Sequence, residues 1–338
     1  MIRIKNFNVP FNDQSPINDL VAKRLKLPPQ HIDEVVIVRK GIDARRYKGA
    51  PIYFVYILDV KVNIAENKVL ARLKKDKNVE IVITKKADKI NCQKSKTSRP
   101  IVIGFGPAGM FSALVLAKNG YRPLIFERGS DVDTRHQDIE KFWQGGQLKE
   151  NSNVQFGEGG AGTFSDGKLT TRINDSKITD VLEAFVEAGA PPEIKYLHKP
   201  HIGTDILRIV VKNIREKIKA LGGEIFFNSQ VTDFIIKDDK ICGVEINHKE
   251  KFTASDVFLG IGHSARDTYE LLYSKGISME AKPFAIGVRI EHPQDLIDKA
   301  QYGEDYKSEL LPVADYSLTY NNRQKGRSVY SFCMCPDC

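Results

Sequence analysis

The chain has 338 residues, which is enough for two or three domains. Its apolar share of 41% and charged share of 28% are typical of a globular protein, and no run of about 18 apolar residues could span a membrane. Five cysteines are too few for a disulfide framework, and the first residues lack the apolar stretch of a secretory signal. We therefore expect a cytoplasmic protein.

The net charge of +8 is concentrated in residues 1–99, which hold 22 Lys and Arg against 10 Asp and Glu. A basic module can attract nucleic acid or an acidic partner, but a solvated lysine-rich surface explains the same excess. The segment has no RNA-binding signature with interleaved aromatic residues. We expect neither nucleic acid nor a membrane as a partner.

Residues 1–90 predict a small basic α/β domain. The charged segment 71–98, with one short apolar run at 79–84, is typical of a connection between domains. The pattern before it indicates a strand, an amphipathic helix and two strands joined by a polar hairpin loop: 2–9, 17–27, 35–39 and 52–62, with the loop at 40–49.

An apolar strand then leads into Gly104, Gly106 and Gly109, which have GxGxxG spacing. Gly104 permits a tight turn, Gly106 lets the backbone approach a pyrophosphate, and Gly109 lets the helix pack against the strand. The helix begins at Pro107 and Ala108, and the unpaired amides at its start favour an anion. The motif predicts a dinucleotide phosphate site.

A second strand over 124–126 ends at Glu127, which lies 23 residues after Gly104. A carboxylate in this place accepts hydrogen bonds from ribose hydroxyls and repels a 2′-phosphate. The complete βαβ unit therefore predicts a Rossmann-type site that disfavours NADP. By itself it does not distinguish FAD from NAD.

The later part of the chain predicts a core-facing helix over 204–221, with Thr204 as its cap and two glycines at its end. Its expected apolar face comprises Ile206, Val210, Ile214, Ile218 and Leu221. Three strands of a β-meander are expected to follow, over 224–236, 241–247 and 251–260.

From about residue 98 onward the chain resembles flavoproteins whose FAD domain is shared with glutathione reductase. More closely, it resembles uncharacterised bacterial FAD-dependent dehydrogenases, or NAD(P)/FAD-dependent oxidoreductases, that carry a small N-terminal α/β domain. The segments that carry this resemblance are GFGPAGM at 104–110, FER at 126–128, GEGGAGTFSDGKLTTR at 157–172, KPHIGTD at 199–205, GIGHSARDT at 260–268, FAIGVRIEHPQ at 284–294 and SFCMCP at 331–336.

The resemblance implies FAD as the cofactor and an α/β fold. Residues 98–283 would form the Rossmann-type FAD-binding domain with its β-meander and a helical insertion at about 131–205. Residues 284–338 would begin a second, substrate-type α+β domain, which would be incomplete. Members of the resembled family continue past SFCMCP, so we expect this chain to be a C-terminally truncated fragment or a frameshift product.

The resemblance also implies that Glu127 binds the adenosine ribose, that the 157–168 loop lies along the flavin and the pyrophosphate, and that Val231 lies beside the adenine. The expected cofactor-binding residues are Gly104, Gly106, Pro107, Ala108, Gly109, Glu127, Arg128, Gly160, Gly162, Thr163, Phe164, Ser165, Asp166, Lys168, Val231, Gly260, Gly262, His263 and Arg266.

Lys168, His263 and His201 are the candidate catalytic residues. Lys168 would place positive charge near the flavin edge that becomes anionic on reduction, or would form a surface ion pair. His263, like Arg266, would reach the cofactor or cap the next segment. His201 would help to form a substrate pocket next to the helix start at Thr204.

A histidine pair and a cysteine pair each suggest a chemical role that has a simpler alternative. His198 and His201 have HxxH spacing, but no third ligand is near and Pro200 breaks a helical arrangement, so we expect no metal. Cys333 and Cys335 could relay electrons to a flavin as a dithiol, or could be packed or free thiols.

Three functional hypotheses follow. The first is an FAD-dependent oxidoreductase, a dehydrogenase that transfers hydride between flavin and an unknown small molecule. The second is an RNA-modifying flavoprotein that uses the basic N-terminal domain, and the third is a truncated, inactive FAD-fold protein. NAD(P)H is one candidate electron donor, although the sequence shows no second complete dinucleotide fingerprint to bind it.

Overall fold

The computed structural model describes residues 1–45, 51–73, 76–82, 99–164, 167–171, 173, 175–331 and 334. The chain divides into two compact units. The first comprises Met1–Asp88, Lys195–His198 and Ala285–Cys338, and the second comprises Lys89–Ile194 and Lys199–Phe284. The division into three domains stays a prediction.

The first unit contains a four-stranded antiparallel sheet with strand order β2-β3-β1-β4. Its apolar side chains, among them Ile4, Leu58 and Val60, form a core with helix residues Val21 and Leu25. The elements are β1 (Ile2–Pro10), α1 (Ile17–Leu25), β2 (Ile32–Asp43), β3 (Tyr53–Val62), α2 (Glu66–Arg72) and β4 (Val79–Ile81).

Two predictions for this unit were wrong. Residues 40–43 were expected in a loop, but they extend β2 and pair with β3. The Lys40 ammonium lies 4.3 Å from the centre of the Phe54 ring, so aromatic contact stabilises a stretch whose own composition is polar. The predicted connection 71–98 contains the end of α2 and all of β4, whose Val79 is buried in the core. Residues 46–50 and 83–98 lie outside the described residues.

The second unit is built on a parallel sheet with strand order β11-β5-β6-β7. Its two central strands are buried along their whole length, as expected for a sheet covered on both faces. The strands are β5 (Ile101–Ile103), β6 (Leu124–Phe126), β7 (Glu224–Phe226) and β11 (Val257–Leu259). This is the predicted α/β class with a Rossmann-type βαβ unit, in which α3 (Pro107–Lys118) connects β5 to β6.

The predicted meander is a separate three-stranded antiparallel sheet made of β8 (Val231–Lys237), β9 (Lys240–Ile246) and β10 (Glu250–Thr253). Two of its predicted strands were too long. The stretch 224–236 divides because its first residues pair in parallel with β6, and the chain then turns at Asn228, whose φ is +54°. The stretch 251–260 divides in the same way between β10 and β11.

The predicted long helix is α6 (Thr204–Ala220). Gly203 occupies the cap position, Thr204 is the first helical residue, and no side chain caps the helix, so the expected threonine cap was wrong. The buried face is also rotated, because Ile206 and Leu221 are partly exposed. It comprises Leu207, Val210, Val211, Ile214 and Ile218.

The remaining helices of the second unit are α4 (Val132–Trp143), α5 (Lys177–Glu187) and α7 (Arg266–Ser274). Asp131 caps α4 by accepting the amides of Asp133 and Thr134. Among the described residues, no helix has both the length and the apolar character that crossing a membrane requires.

The carboxy-terminal part of the first unit contains α8 (Gln294–Tyr302) and a hairpin of β12 (Thr319–Asn322) and β13 (Arg327–Tyr330). Cys333 and Cys335 lie outside the described residues, so their redox role stays a prediction.

The core of the second unit gives a paired test on one helix. Ile214 is 2% exposed in the core, whereas Ile209 on the same helix is 57% exposed. We predict that Ile214→Ala lowers the free energy of unfolding by about 2–5 kcal/mol, because it removes buried methyl groups and leaves a cavity. Ile209→Ala should change it by no more than about 0.5 kcal/mol. Urea denaturation of both variants measures the difference, and equal losses would contradict this packing.

Candidate functional site

Three glycines shape the turn between β5 and α3, and they do so in different ways. Gly104 has a φ of +88°, and a Cβ there would lie 2.5 Å from the Gly260 carbonyl oxygen. A Cβ on Gly109 would overlap the Gly104 carbonyl oxygen. Gly106 has an ordinary φ of −75°, and a Cβ there would meet only the Gly160 backbone, with Cα at 3.5 Å and N at 3.9 Å. Gly104 and Gly109 are therefore required by the fold, whereas Gly106 keeps a space open.

The loop that faces this turn also presents bare backbone to it. Gly160 has a φ of +67°, and a Cβ on it would lie 3.0 Å from Gly106 Cα. The Gly159 amide donates to the Phe105 carbonyl oxygen at 2.8 Å. Two lengths of bare backbone therefore face each other across a narrow crevice at the start of α3.

Arg135 of α4 holds this loop in place. Its guanidinium is fully buried and donates to five backbone carbonyl oxygens. Burial lowers the pKa of Arg135 to about 10, which leaves it charged at neutral pH. The acceptors belong to Asn153, Val154, Gly157, Glu158 and Gly160, at distances of 2.6–3.4 Å.

Glu127 connects the three pieces of backbone that border the crevice. It is 4% exposed, at the end of β6. Its Oε2 accepts the Phe105 amide at 2.7 Å, and its Oε1 accepts the amides of Gly129 at 2.9 Å and Gly157 at 3.0 Å. A carboxylate oxygen can accept two hydrogen bonds, so Oε2 retains the capacity to accept a donor from the crevice.

The crevice is part of a cavity of about 330 Å³, within the range of small-molecule sites. Most of the predicted cofactor-binding residues line it, as does one of the three predicted catalytic residues. These are Gly104, Gly106, Pro107, Ala108, Glu127, Arg128, Gly160, Gly162, Val231, Gly260, Gly262 and His263.

Five other predicted cofactor residues do not line the cavity. Thr163 is buried in the loop, and Phe164 stacks on the His136 ring. Gly109 lies against the Gly104 carbonyl oxygen, and neither Lys168 nor Arg266 is among the residues that line the cavity. The predicted residues Ser165 and Asp166 lie outside the described residues.

Lys168 and His201, the other two predicted catalytic residues, are opposite each other in an isolated antiparallel bridge. Neither lines the cavity. In the described part of the chain, no group of three His, Cys, Asp or Glu could hold a metal ion. The expectation of no metal stays a prediction.

Some of the lining residues were not predicted from the sequence. The only sequence feature that could have indicated them is that they lie within or next to the recognised motifs. Gln155, Phe156, Ser229, Ser264 and Thr268 belong to this group. Two of them touch Arg128: its guanidinium lies 4.5 Å from the centre of the Phe156 ring, and its Nη2 donates to Thr268 Oγ1 at 3.1 Å.

Arg128 does not offer a free positive charge to the cavity. Its Nη2 donates to both carboxylate oxygens of Asp267, at 2.9 and 3.0 Å. His263 is also fixed, because its Nδ1 lies 2.8 Å from Ser264 Oγ. That hydroxyl donates to Gln155 Oε1 at 3.2 Å, so Nδ1 carries the ring hydrogen and Nε2 of the neutral ring can accept a proton.

Glu158 belongs to the loop at Gly157, and its side chain is a buried carboxylate with hydrogen bonds to only one of its two oxygens. Its Oε2 accepts the Val132 amide and Arg215 Nη1, both at 2.7 Å. Its Oε1 has no hydrogen-bond partner. Burial raises the pKa of Glu158 to about 7, and it outweighs the opposing effects of the Val132 amide and the Arg215 charge.

Comparison with known proteins identifies relatives of both ends of the chain. Residues 283–337 match the family described as FAD-dependent protein, C-terminal domain-like, and residues 1–61 match a domain of unknown function. The chain is 48% identical over 337 residues to an uncharacterized protein of Clostridium beijerinckii, a match that covers 99% of this chain. The match over 283–337 confirms the predicted resemblance to an uncharacterised FAD-dependent family. FAD is the cofactor of that family.

The chain spans 62% of the length of the C. beijerinckii protein. It is also 25% identical over 223 residues to a thiamine thiazole synthase of Thermotoga maritima, which covers 62% of this chain and 72% of that protein. The crystal structure of THI4 from Thermovibrio ammonificans has a TM-score of 0.35 and 19% identity, over 54% of this chain and 64% of that one. That likeness is too low to carry an argument. Neither the family nor these relatives support an RNA-modifying activity.

The buried Glu158 carboxyl predicts a pH-dependent stability. The unfolded chain loses this proton near the ordinary value of 4.5, whereas the folded chain keeps it until about pH 7. The unfolded state therefore binds fewer protons between these values, and the free energy of unfolding falls as pH rises through that window. The shift corresponds to about 3 kcal/mol.

Glu158→Gln should remove this contribution, so the difference in unfolding free energy between wild type and variant should change by about 3 kcal/mol from pH 4.5 to 7 and then level off. Urea denaturation across this pH range measures it. The exposed Glu150→Gln is the matched control and should track the wild type. Parallel pH profiles for wild type and Glu158→Gln would rule out the raised pKa.

Proposed function

We propose that this chain is an FAD-dependent oxidoreductase that holds the cofactor's pyrophosphate in the crevice between the start of α3 and Gly160. The observation that carries the proposal is the pair of facing glycine backbones, Gly106 and Gly160, at the amide-rich start of α3, whose inner face is buried. A diphosphate needs close approach to backbone amides, and any side chain at either position would obstruct it.

The donor set of the crevice fits a dinucleotide. Pro107 is the first residue of α3 and has no amide hydrogen, so the unpaired amides of the next residues are available to an anion. The nearest arginines are not, because Arg128 is paired with Asp267 and Arg135 is surrounded by carbonyl oxygens. Binding of the phosphates would therefore depend on backbone amides and the helix dipole.

Two further residues would orient the nucleotide. Glu127 lines the cavity with an Oε2 that can accept a ribose hydroxyl. Val231, at the start of the meander, is buried and lines the same cavity, which supports a place beside the adenine. The Glu127 carboxylate would also repel the 2′-phosphate of NADP, as the sequence predicts.

FAD, when bound, supplies hydride chemistry, so the chain's own residues need only to orient a substrate and move a proton. His263 is the predicted catalytic residue that lines the cavity, and its Nε2 can accept a proton. Lys168 and His201 are weaker candidates because they lie outside the lining. The substrate is proposed to be a small molecule, with NAD(P)H as one candidate electron donor.

Gly106→Val tests the crevice without disturbing the turn. The backbone at Gly106 suits any residue, so we predict a folded variant whose side chain fills the phosphate space and weakens FAD binding at least a hundredfold. Gly287→Val is the control, because a Cβ there meets nothing within 4 Å and its φ is unexceptional. Flavin absorbance retained after gel filtration, with circular dichroism to verify folding, is the measurement.

Unchanged flavin content in folded Gly106→Val would refute this pocket. Wild-type protein that stays colourless after incubation with excess FAD would refute the proposed function as a whole. That result would favour an inactive FAD-fold protein.

A further inference from the structure

We propose that the outer face of the four-stranded sheet binds a small organic carboxylate, with Arg39 as the residue that pairs with its charge. This goes beyond the proposed function, because the face shares no lining residue with the FAD crevice. The first 61 residues, which supply most of this face, match a domain of unknown function.

The face carries a cavity of about 740 Å³, a size that suits a small organic ligand. Asn8 and Gly41 flank Val55 on neighbouring strands, and Arg39 is opposite Ile57. The residues that alternate with these, such as Phe7, Val9 and Leu58, belong to the core on the other face. The cavity therefore uses the side of the sheet that α1 and α2 leave uncovered.

Two irregularities of strand register direct polar side chains into this cavity. Without a bulge, Arg39 would share a face with the core residue Ile37, and Asn6 would share one with Ile4. The register shifts between Ile37 and Arg39 in β2, and between Ile4 and Phe7 in β1. As a result, both Arg39 and Asn6 line the cavity. Bulges that re-aim side chains are frequent next to binding sites.

The backbone of Asn6 has an energetically unfavourable conformation. Its φ is +49°, a left-handed conformation that non-glycine residues adopt infrequently. Such conformations persist where the surrounding structure requires them, and they concentrate at ligand sites. The bulge at Asn6 also lets its Nδ2 donate to Asn78 Oδ1 at 3.1 Å, so this residue both anchors β1 and lines the cavity.

The charges in the cavity favour an anion. Among the described residues, Arg39 forms no ion pair, and its Nη2 donates to His198 Nδ1 at 2.6 Å. Because an arginine can only donate, Nδ1 is the acceptor, and the neutral His198 ring carries its hydrogen on Nε2. Asp43 does not offset this charge, because Arg45 Nε and Nη2 bind it at 2.8 and 2.6 Å. The Arg45 hydrogen bond lowers the pKa of Asp43 to about 2.

The other lining groups select an organic acid over a bare ion. A guanidinium matches the two oxygens of a carboxylate, and the Asn8 amide can complete the hydrogen bonding, whereas Asn6 Nδ2 already donates to Asn78 Oδ1 at 3.1 Å. Val55 and Ile57 are half-buried between them and offer an apolar floor. A carboxylate with a short aliphatic or aromatic body satisfies both parts of the cavity.

Thermal unfolding of the full chain tests this site, because a ligand that binds the folded state raises the midpoint in a saturable way. Benzoate, hexanoate and succinate are titrated at constant ionic strength with FAD in excess, which protects the crevice from the added anions. We expect at least one of them to raise the wild-type midpoint. Arg39→Gln should weaken the apparent affinity for that acid at least tenfold. Arg39→Lys should be intermediate, because lysine retains the charge but lacks the two parallel donors of a guanidinium.

Arg72→Gln is the matched control, since Arg72 is exposed at the end of α2 and does not line the cavity. It should respond as the wild type does, and flavin absorbance should be the same in all variants. No saturable effect of the three acids, or an equal effect in Arg39→Gln, would overturn the site. Inorganic phosphate that binds more tightly than the acids, and requires Arg39, would overturn the carboxylate class.

Discussion

Glu127 makes the buried interaction on which the cofactor crevice depends. Its carboxylate takes three backbone amides, from the turn after β5, from the residues after β6 and from the loop at Gly157. Arg135 complements it with a buried positive charge that holds the carbonyl oxygens of the same loop. Two opposite charges thus fix a glycine-rich stretch that has few side chains to pack. The crevice can stay open because its walls are held from behind.

Residues with strong local requirements were predictable from the sequence. Gly104 must adopt a positive φ, and Glu127 must follow the second strand, so spacing alone indicated both. Arg135 and Glu158 were missed, because their partners lie about 20 to 60 residues away and no periodicity encodes them. The strand expected over 224–236 was divided for a similar reason: only the folded chain shows that its first part pairs with β6.

The first unit shows why a strand's face cannot always be deduced from its pattern. Alternation predicts that Ile37 and Arg39 point the same way, and a single bulge reverses that outcome. Both proposed sites therefore depend on backbone features: glycines without side chains in one, and bulges that turn side chains over in the other. Arg128 in the first site and Arg45 in the second are paired with carboxylates and have structural roles. Arg39 contacts a neutral histidine and retains its charge for a ligand.

A crystal structure of the chain with FAD bound tests the central claim most directly. The account predicts the diphosphate on the first-turn amides of α3, between Gly106 and Gly160, with a ribose hydroxyl donating to Glu127. FAD bound elsewhere, or a diphosphate held by lysine and arginine side chains while the start of α3 makes no contact with it, would contradict the account.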